Sequence, residues 1–271
     1  MRTAEPRLYD SEMIVAWGAL GLFLLATGAW GLSVLRRNAN LVDELWGISQ
    51  LVVVAVSLLA GETRTARSWL CAALVTAWGL RLSIHLVTRD RGRGEDFRHR
   101  QARERHGKSF VWRSLPEIFW FQLIGGGLVV GLPMFAVVSQ PQPALGWVDG
   151  TAAALWIIGF SLETIADTQL RRFRANPANR ARVLDQGLWR YSRHPNYFGE
   201  VMIWVGIALF GVAAGRWWSL FSPLMVFVIT TRITGVATMD RHLKKTRGEE
   251  YARYVNTTSA FIPLPKRPSG N

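Results

Sequence analysis

An all-α, polytopic bundle of seven membrane-crossing helices is the fold class this sequence predicts, and three observations carry the prediction. Of the 271 residues, 49% are hydrophobic, 13 are Trp and the mean hydropathy is +0.13. The apolar residues gather into seven runs of about 18 to 24, each long enough to cross about 30 Å of hydrocarbon as a helix. The basic residues, in contrast, crowd into alternate connections between those runs.

The runs cover 13–35, 41–60, 68–88, 115–138, 147–166, 197–215 and 217–238. The first is too long for a secretory signal and lacks a small-residue cleavage site, so it reads as a retained signal anchor. The second opens on "NLVDELWGIS" (40–49), which sets Asp43, Glu44 and Trp46 at a membrane edge. The third carries Arg81 and His85 and ends at Arg89. The fifth closes on "ETIADTQLRRFR" (163–174), and the sixth starts at Pro195, because proline suits the first turn of a helix and cannot continue one from upstream. The seventh ends near Asp240, before a basic amphipathic segment, 238–265, suited to a membrane surface. "PQP" (141–143) and "GRWW" (215–218) read as outer turns with interfacial aromatic anchors. No soluble domain is appended, so residues 1–271 read as a single membrane-embedded catalytic domain.

Placing the N-terminus outside puts 25 of the 32 basic residues on the cytoplasmic side: Arg36, Arg37 and those in 89–114, 171–193 and 239–271. Only Arg2, Arg7, Arg64, Arg67 and Arg216 then fall outside, which favours this topology and a cytoplasmic C-terminus. The net charge of +13 is accounted for by anionic headgroups and an anionic ligand, with no call for nucleic acid. The single cysteine, Cys71, excludes an intrachain disulfide. Five histidines without a CxxC or HExxH partner give no metal signature.

Ionisable groups within spans usually face the bundle interior or a water-filled cavity. Arg81, His85 and Arg89, at i, i+4 and i+8, form one stripe leading to the cytoplasmic mouth. Glu163, Asp167, Arg171 and Arg174 form a second stripe, running from acidic in the membrane to basic at the surface. In "RYSRHPNYFGE" (190–200), the amides and positive dipole end of a helix starting at Pro195 stand beside Arg190, Arg193 and His194, an arrangement suited to phosphate. Asn196 and Glu200 lie one turn apart, able to face the same cleft, and Asp240 is placed to reach it.

"GLWRYSRHPNYFGE" (187–200), with "DTQLRRFR" (167–174), "RDRGRGEDFRHR" (89–100) and the tail "RGEEYARYVNTTSAFIPLP" (247–265), resembles the bacterial branch of the steroid 5α-reductase family. Isoprenylcysteine carboxyl methyltransferases and sterol reductases share an RHPxYxG-like segment. The resemblance implies a seven-helix membrane enzyme that binds NADPH from the cytoplasm and reduces the C4–C5 double bond of a 3-oxo-4-ene steroid or similar enone. It assigns the cofactor to Asp167, Arg171, Arg174, Asn196 and Glu200, with Arg81, Arg93, Tyr191, Arg193, His194, Tyr197 and Asp240 within its reach. The animal enzymes polarise the ketone with a glutamate and a tyrosine. Here Asp43 or Glu44 matches the glutamate, whereas the third span has no tyrosine and offers Trp78 or His85.

Hydride addition to an enone builds charge on the carbonyl oxygen, so an electrophilic donor is needed about 3 Å from it. His85, oriented by Asp43 or Glu44, is the expected donor, with Trp46, Trp78 and Glu163 facing the substrate. An apolar substrate would enter sideways from the bilayer, membrane lipids being the other expected partners, and the expected location is a bacterial cytoplasmic membrane with the site open to the cytoplasm. Two alternatives remain. An S-adenosylmethionine-dependent methyltransferase has no phosphate to occupy the arginines of 171–193, and a non-catalytic lipid-binding protein gives no reason to bury Arg81 and His85.

Overall fold

The computed structural model describes residues 8–61, 63–139, 144–179, 181–233 and 235–267. The expected turn at 141–143 lies outside them, as do Arg2, Arg7 and Arg180 of the charge asymmetry. Among the described residues the chain is all helical: α1 Leu8–Arg36, α2 Leu41–Glu44, α3 Trp46–Ala60, α4 Ala66–Asp90, α5 Phe97–His106, α6 Phe110–Ser114, α7 Gly127–Val130, α8 Leu132–Ala136, α9 Trp147–Ala175, α10 Pro195–Ala213, α11 Phe221–Val228 and α12 Val236–Thr257. Wider π-helical turns occupy Leu115–Gly126 and Ile229–Ile233.

Five helical stretches are long and apolar enough to cross a membrane: Glu12–Arg36, Ala66–Asp90, Trp147–Ala175, Pro195–Ala213 and Trp217–Thr257. The other two expected runs are built differently. Run 41–60 is divided at Leu45 into α2 and the 15-residue α3, the latter about 22 Å long at 1.5 Å per residue. Run 115–138 is helical in pieces, because Pro116, the glycines at 125–127, Gly131 and Pro133 interrupt a regular hydrogen-bond ladder. Leu24, Leu59, Ile84, Phe121 and Ile157 are all more than half exposed, which suits helices solvated by lipid tails.

The described chain forms two compact units. Unit 1 runs through Asp149 and adds Ile207–Ser222. Its core gathers Ala26, Ala29, Leu41, Val42, Phe119 and Leu123, with Trp30 and Trp46 packed against them. Helices α3 and α4 meet backbone to backbone: a β-carbon on Gly79 would lie 2.7 Å from the Gly47 carbonyl oxygen. Thr65 and Ser68 start α4 with a reciprocal capping box. Beside it, Arg67 grips Asp149 in a buried bidentate pair, at 2.7 and 2.9 Å.

Unit 2 comprises Gly150–Gly206 and the chain from Pro223 onward. Here α9 and α10 pack at Gly159 and Gly199, where an added β-carbon would fall 2.6 to 2.7 Å from the facing carbonyl oxygen. That close approach brings the C-terminal half of α9, with Glu163 and Asp167, against the first turns of α10. Helix α12 bends at Gly248, whose φ of 52° no helix can carry.

Candidate functional site

Helix α10 starts at Pro195, as its sequence predicts, and the Phe198 amide donates to the His194 carbonyl at 3.2 Å. The segment leading into it is held from several sides. Ser192 Oγ accepts from the His194 amide at 3.1 Å and donates to the Phe261 carbonyl at 2.7 Å. The Arg193 amide donates to the Ser259 carbonyl, and the Leu264 amide to that of Tyr191, each at 2.9 Å. Tyr254 Oη donates to the Trp189 carbonyl at 2.5 Å, and Trp189 Nε1 donates to the Ala166 carbonyl at 3.1 Å. Thus the tail, read from its sequence as a surface segment, is the clamp on "RYSRHP".

On this frame sits a cluster of charge. Asp240 Oδ2 pairs with Arg193 Nη2 at 3.1 Å, while its Oδ1 meets His194 Nε2 at 3.0 Å and accepts a short hydrogen bond from Tyr251. Tyr197 stacks on His194 with ring centroids 5.4 Å apart and planes within 4°. Asn196 Nδ2 donates to Asp167 Oδ1 at 3.2 Å, which ties α10 to α9.

Arg193 is only 9% exposed, yet its Nε and Nη1 find no hydrogen-bond acceptor among the described residues. Asn196 Oδ1 is buried in the same condition. A buried donor left without an acceptor costs about 1–3 kcal/mol, and more when charged. Two unmatched guanidinium nitrogens beside a helix N-terminus, whose first amides lack intrahelical acceptors, form a site that an anionic ligand completes. The residues present therefore fit a phosphate-bearing cofactor.

The remaining sequence-predicted residues fall as follows. Glu163 and Asp167 are buried on α9, 3% and 6% exposed, whereas Arg171 and Arg174 are exposed on its last turns. Glu200 is half-buried on α10 and Tyr191 is exposed. Arg81, Arg93, Asp43, Glu44, His85, Trp46 and Trp78 belong to unit 1. Trp78 is fully buried in the core of unit 1, and Trp46 packs on Gly126 and the cluster around Phe119.

In unit 1, α2 packs against α4, the helix of Arg81 and His85. Asp43 meets two side chains from α5: Arg98 Nη2 at 2.7 Å and His99 Nε2 at 3.3 Å. The "GED" turn is tethered to "NAN": Asn40 Oδ1 accepts from the Asp96 amide at 2.7 Å, and Glu95 Oε1 from the Ala39 amide at 2.9 Å. Asp96 in turn caps α5 by accepting from the Arg98 amide. Burial by itself would raise the Glu95 carboxyl, but two hydrogen bonds from Arg103 and one from Ala39 hold it below its ordinary value. Asp96 is likewise held low against burial by Arg98. Arg93 is exposed in the same loop.

Arg98, His99, Ser192, Tyr251 and Tyr254 were not singled out by the sequence reading. A usable signal existed for the tyrosines: Tyr251 and Tyr254 stand at i and i+3, on one face of the helical segment that follows Gly248. For Asp43 there was none, since Arg98 lies 55 residues away.

A family described as "Protein of unknown function (DUF1295)" matches residues 29–258, which include every residue of both clusters except the clamp residues of the tail beyond 258. The chain belongs to the DUF1295 family. This member is 28% identical over 94% of its length to an uncharacterized protein of Schizosaccharomyces pombe, of which it covers 81%. It is also similar to the 3-oxo-5-alpha-steroid 4-dehydrogenase 1 of Mus musculus, 30% identical over 49% of this chain and 48% of the mouse protein. The Homo sapiens counterpart is 26% identical over 46% of this chain and 44% of its own. The chain thus spans about half the length of the steroid dehydrogenases it matches.

Proposed function

We propose that this protein is an NADPH-dependent reductase of the C4–C5 double bond of a 3-oxo-4-ene steroid or a similar apolar enone. The reading includes one catalytic domain crossing a bacterial cytoplasmic membrane seven times, with the N-terminus outside and the site open to the cytoplasm. The observation that carries it is Arg193, buried beside the start of α10 with two nitrogens lacking an acceptor, in a chain similar to 3-oxo-5-alpha-steroid 4-dehydrogenases.

Arg193 and the amides of α10 would hold the pyrophosphate, with Arg171 and Arg174 at the surface of the same unit for the remaining phosphate charge. Asp240 fixes the guanidinium plane of Arg193 and the ring of His194 through the contacts described above. Asp167, through Asn196, and Glu200 supply polar partners one turn deeper. When bound, NADPH would supply the hydride that adds to the β-carbon of the enone, and a proton taken from water at the α-carbon would complete the reduction. His85 donates a hydrogen bond to the ketone oxygen as charge develops there, and Asp43 and Glu44 on α2 hold that donor in place. The lipid-solvated helices admit an apolar substrate sideways.

Thermal unfolding of the purified chain with NADPH, NADH or S-adenosylmethionine tests this. NADPH at about 100 Kd stabilises the fold by about 2.7 kcal/mol. NADH does so less at equal concentration, S-adenosylmethionine not at all, and His85→Phe keeps the NADPH shift while losing turnover. Stabilisation by S-adenosylmethionine alone, or by none of the three, refutes the proposal.

A further inference from the structure

We propose that unit 1 carries a binding site for an anionic phospholipid at the C-terminal end of α1. It shares only Glu95 and Arg103 with the unit 1 cluster above and does not rest on the reductase reading.

A cavity of about 340 Å³ lies there, within the range of small-ligand sites. Val34, Phe110 and Val111 give it apolar walls, and Arg37 and Arg103 line it as well. Arg103 is fixed in place. It donates to both oxygens of Glu95, at 2.7 and 3.0 Å, and lies 4.3 Å from the centroid of the Phe110 ring. Those bonds engage two of the five N–H groups of a guanidinium. The Glu95 charge largely offsets that of Arg103, so the uncompensated cation of the cavity is Arg37, which has no ion pair with any described residue.

The backbone at Arg37 supplies a second, independent argument. The chain leaves α1 through paired closing bonds, from the Asn38 amide to the Ser33 carbonyl at 3.1 Å and from the Arg37 amide to the Val34 carbonyl at 3.2 Å. This geometry places Arg37 at φ 50°, a left-handed position that glycine fills without strain and a β-carbon does not. Arg37 is the one described non-glycine residue with positive φ. A strained backbone position that puts a cation on a cavity wall points to a ligand.

The cavity also lies where a headgroup would. Trp112, next to the wall residue Val111, is 71% exposed, and its ring lies 5.6 Å from that of Trp30. Trp30 Nε1 donates to the Val111 carbonyl at 2.8 Å. Exposed tryptophan at the end of a membrane helix marks the level of the headgroups. A phosphodiester with an acyl chain matches both halves of the cavity, the phosphate on Arg37 and Arg103 and the first methylenes on Val34, Phe110 and Val111. A soluble phosphate would leave the apolar walls unused.

The test titrates the full chain, in a neutral detergent, with short-chain phosphatidylglycerol, phosphatidylcholine of the same chain length, and inorganic phosphate, with bound ligand counted by native mass spectrometry. Arg37→Gly is the informative variant, because glycine removes the guanidinium while relieving the backbone and so keeps the fold. We expect saturable binding of phosphatidylglycerol, an affinity about tenfold lower in Arg37→Gly, weaker binding of phosphatidylcholine, and none of inorganic phosphate. Val34→Phe, which narrows the cavity, lowers phosphatidylglycerol affinity with Arg37 intact. Equal affinity of parent and Arg37→Gly would reduce Arg37 to a helix cap and overturn the proposal. Equal binding of the two lipids, or Arg37-dependent binding of inorganic phosphate, would overturn it too.

Discussion

Replacing Asp240 by asparagine isolates the contact on which the unit 2 cluster turns. The carboxylate receives Arg193 at 3.1 Å, His194 at 3.0 Å and the Tyr251 hydroxyl. Asparagine keeps one acceptor and turns the other into a donor, aimed at groups that are themselves donors. Arg193, 9% exposed and already carrying two nitrogens without an acceptor, then loses its anionic partner. Breaking a fully buried pair by removing one partner costs about 3–5 kcal/mol. The Asp240 side chain is 17% exposed, so water recovers part of that, and a loss of about 2–4 kcal/mol is expected. At about 2–4 °C per kcal/mol, the unfolding midpoint falls by roughly 5–15 °C. Thermal unfolding followed by tryptophan fluorescence in detergent reads this directly. Adding Arg193→Met removes the stranded cation, so the double variant is more stable than the sum of the two singles by about 1–3 kcal/mol. A midpoint within 1 °C of the parent for Asp240→Asn, or strict additivity in the double variant, refutes the claim that Asp240 holds Arg193.

Glu95 and Asp96 both have folded-state values below those of the unfolded chain, so the unfolded state binds their protons first. Their contribution is present at neutral pH and fades as pH falls through about 4 and below; a midpoint-versus-pH series shows this, and Glu95→Gln flattens it. At Gly159, a leucine would drive its β-carbon to 2.6 Å from the Gly199 carbonyl oxygen, prying α9 from α10 at a cost of at least about 1–3 kcal/mol. Gly150→Leu, where the added atom meets nothing within 4 Å, is the matched control and changes the midpoint little.

Much of this was legible because it is local. Pro195 announces the start of α10, since its missing amide and fixed φ permit little else at the junction of a polar cluster and an apolar run. The long spans follow from composition alone. What stayed hidden depends on contacts distant in sequence or on backbone that apolarity does not encode. Run 115–138 is apolar enough for a regular helix, but its glycines and prolines turn it into π and α pieces. Asp43 was legible as an inward carboxylate, yet Arg98 and His99 could be matched to it only once the "GED" turn was seen tied to "NAN". Tyr251 and Tyr254 were hidden by the basic residues around them: Arg241, Lys244 and Lys245 are exposed as a surface helix requires, while the opposite face closes on Asp240 and Trp189.

The reductase reading is tested most directly by following the transferred atom. The chain is incubated with a 3-oxo-4-ene steroid and NADPH deuterated at the transferring position of the nicotinamide, and the steroid is analysed by mass spectrometry. The account predicts a reduced product with one deuterium at the former β-carbon, formed by the parent chain and lost in Arg193→Met. A steroid recovered unreduced, or reduced without deuterium, would contradict it.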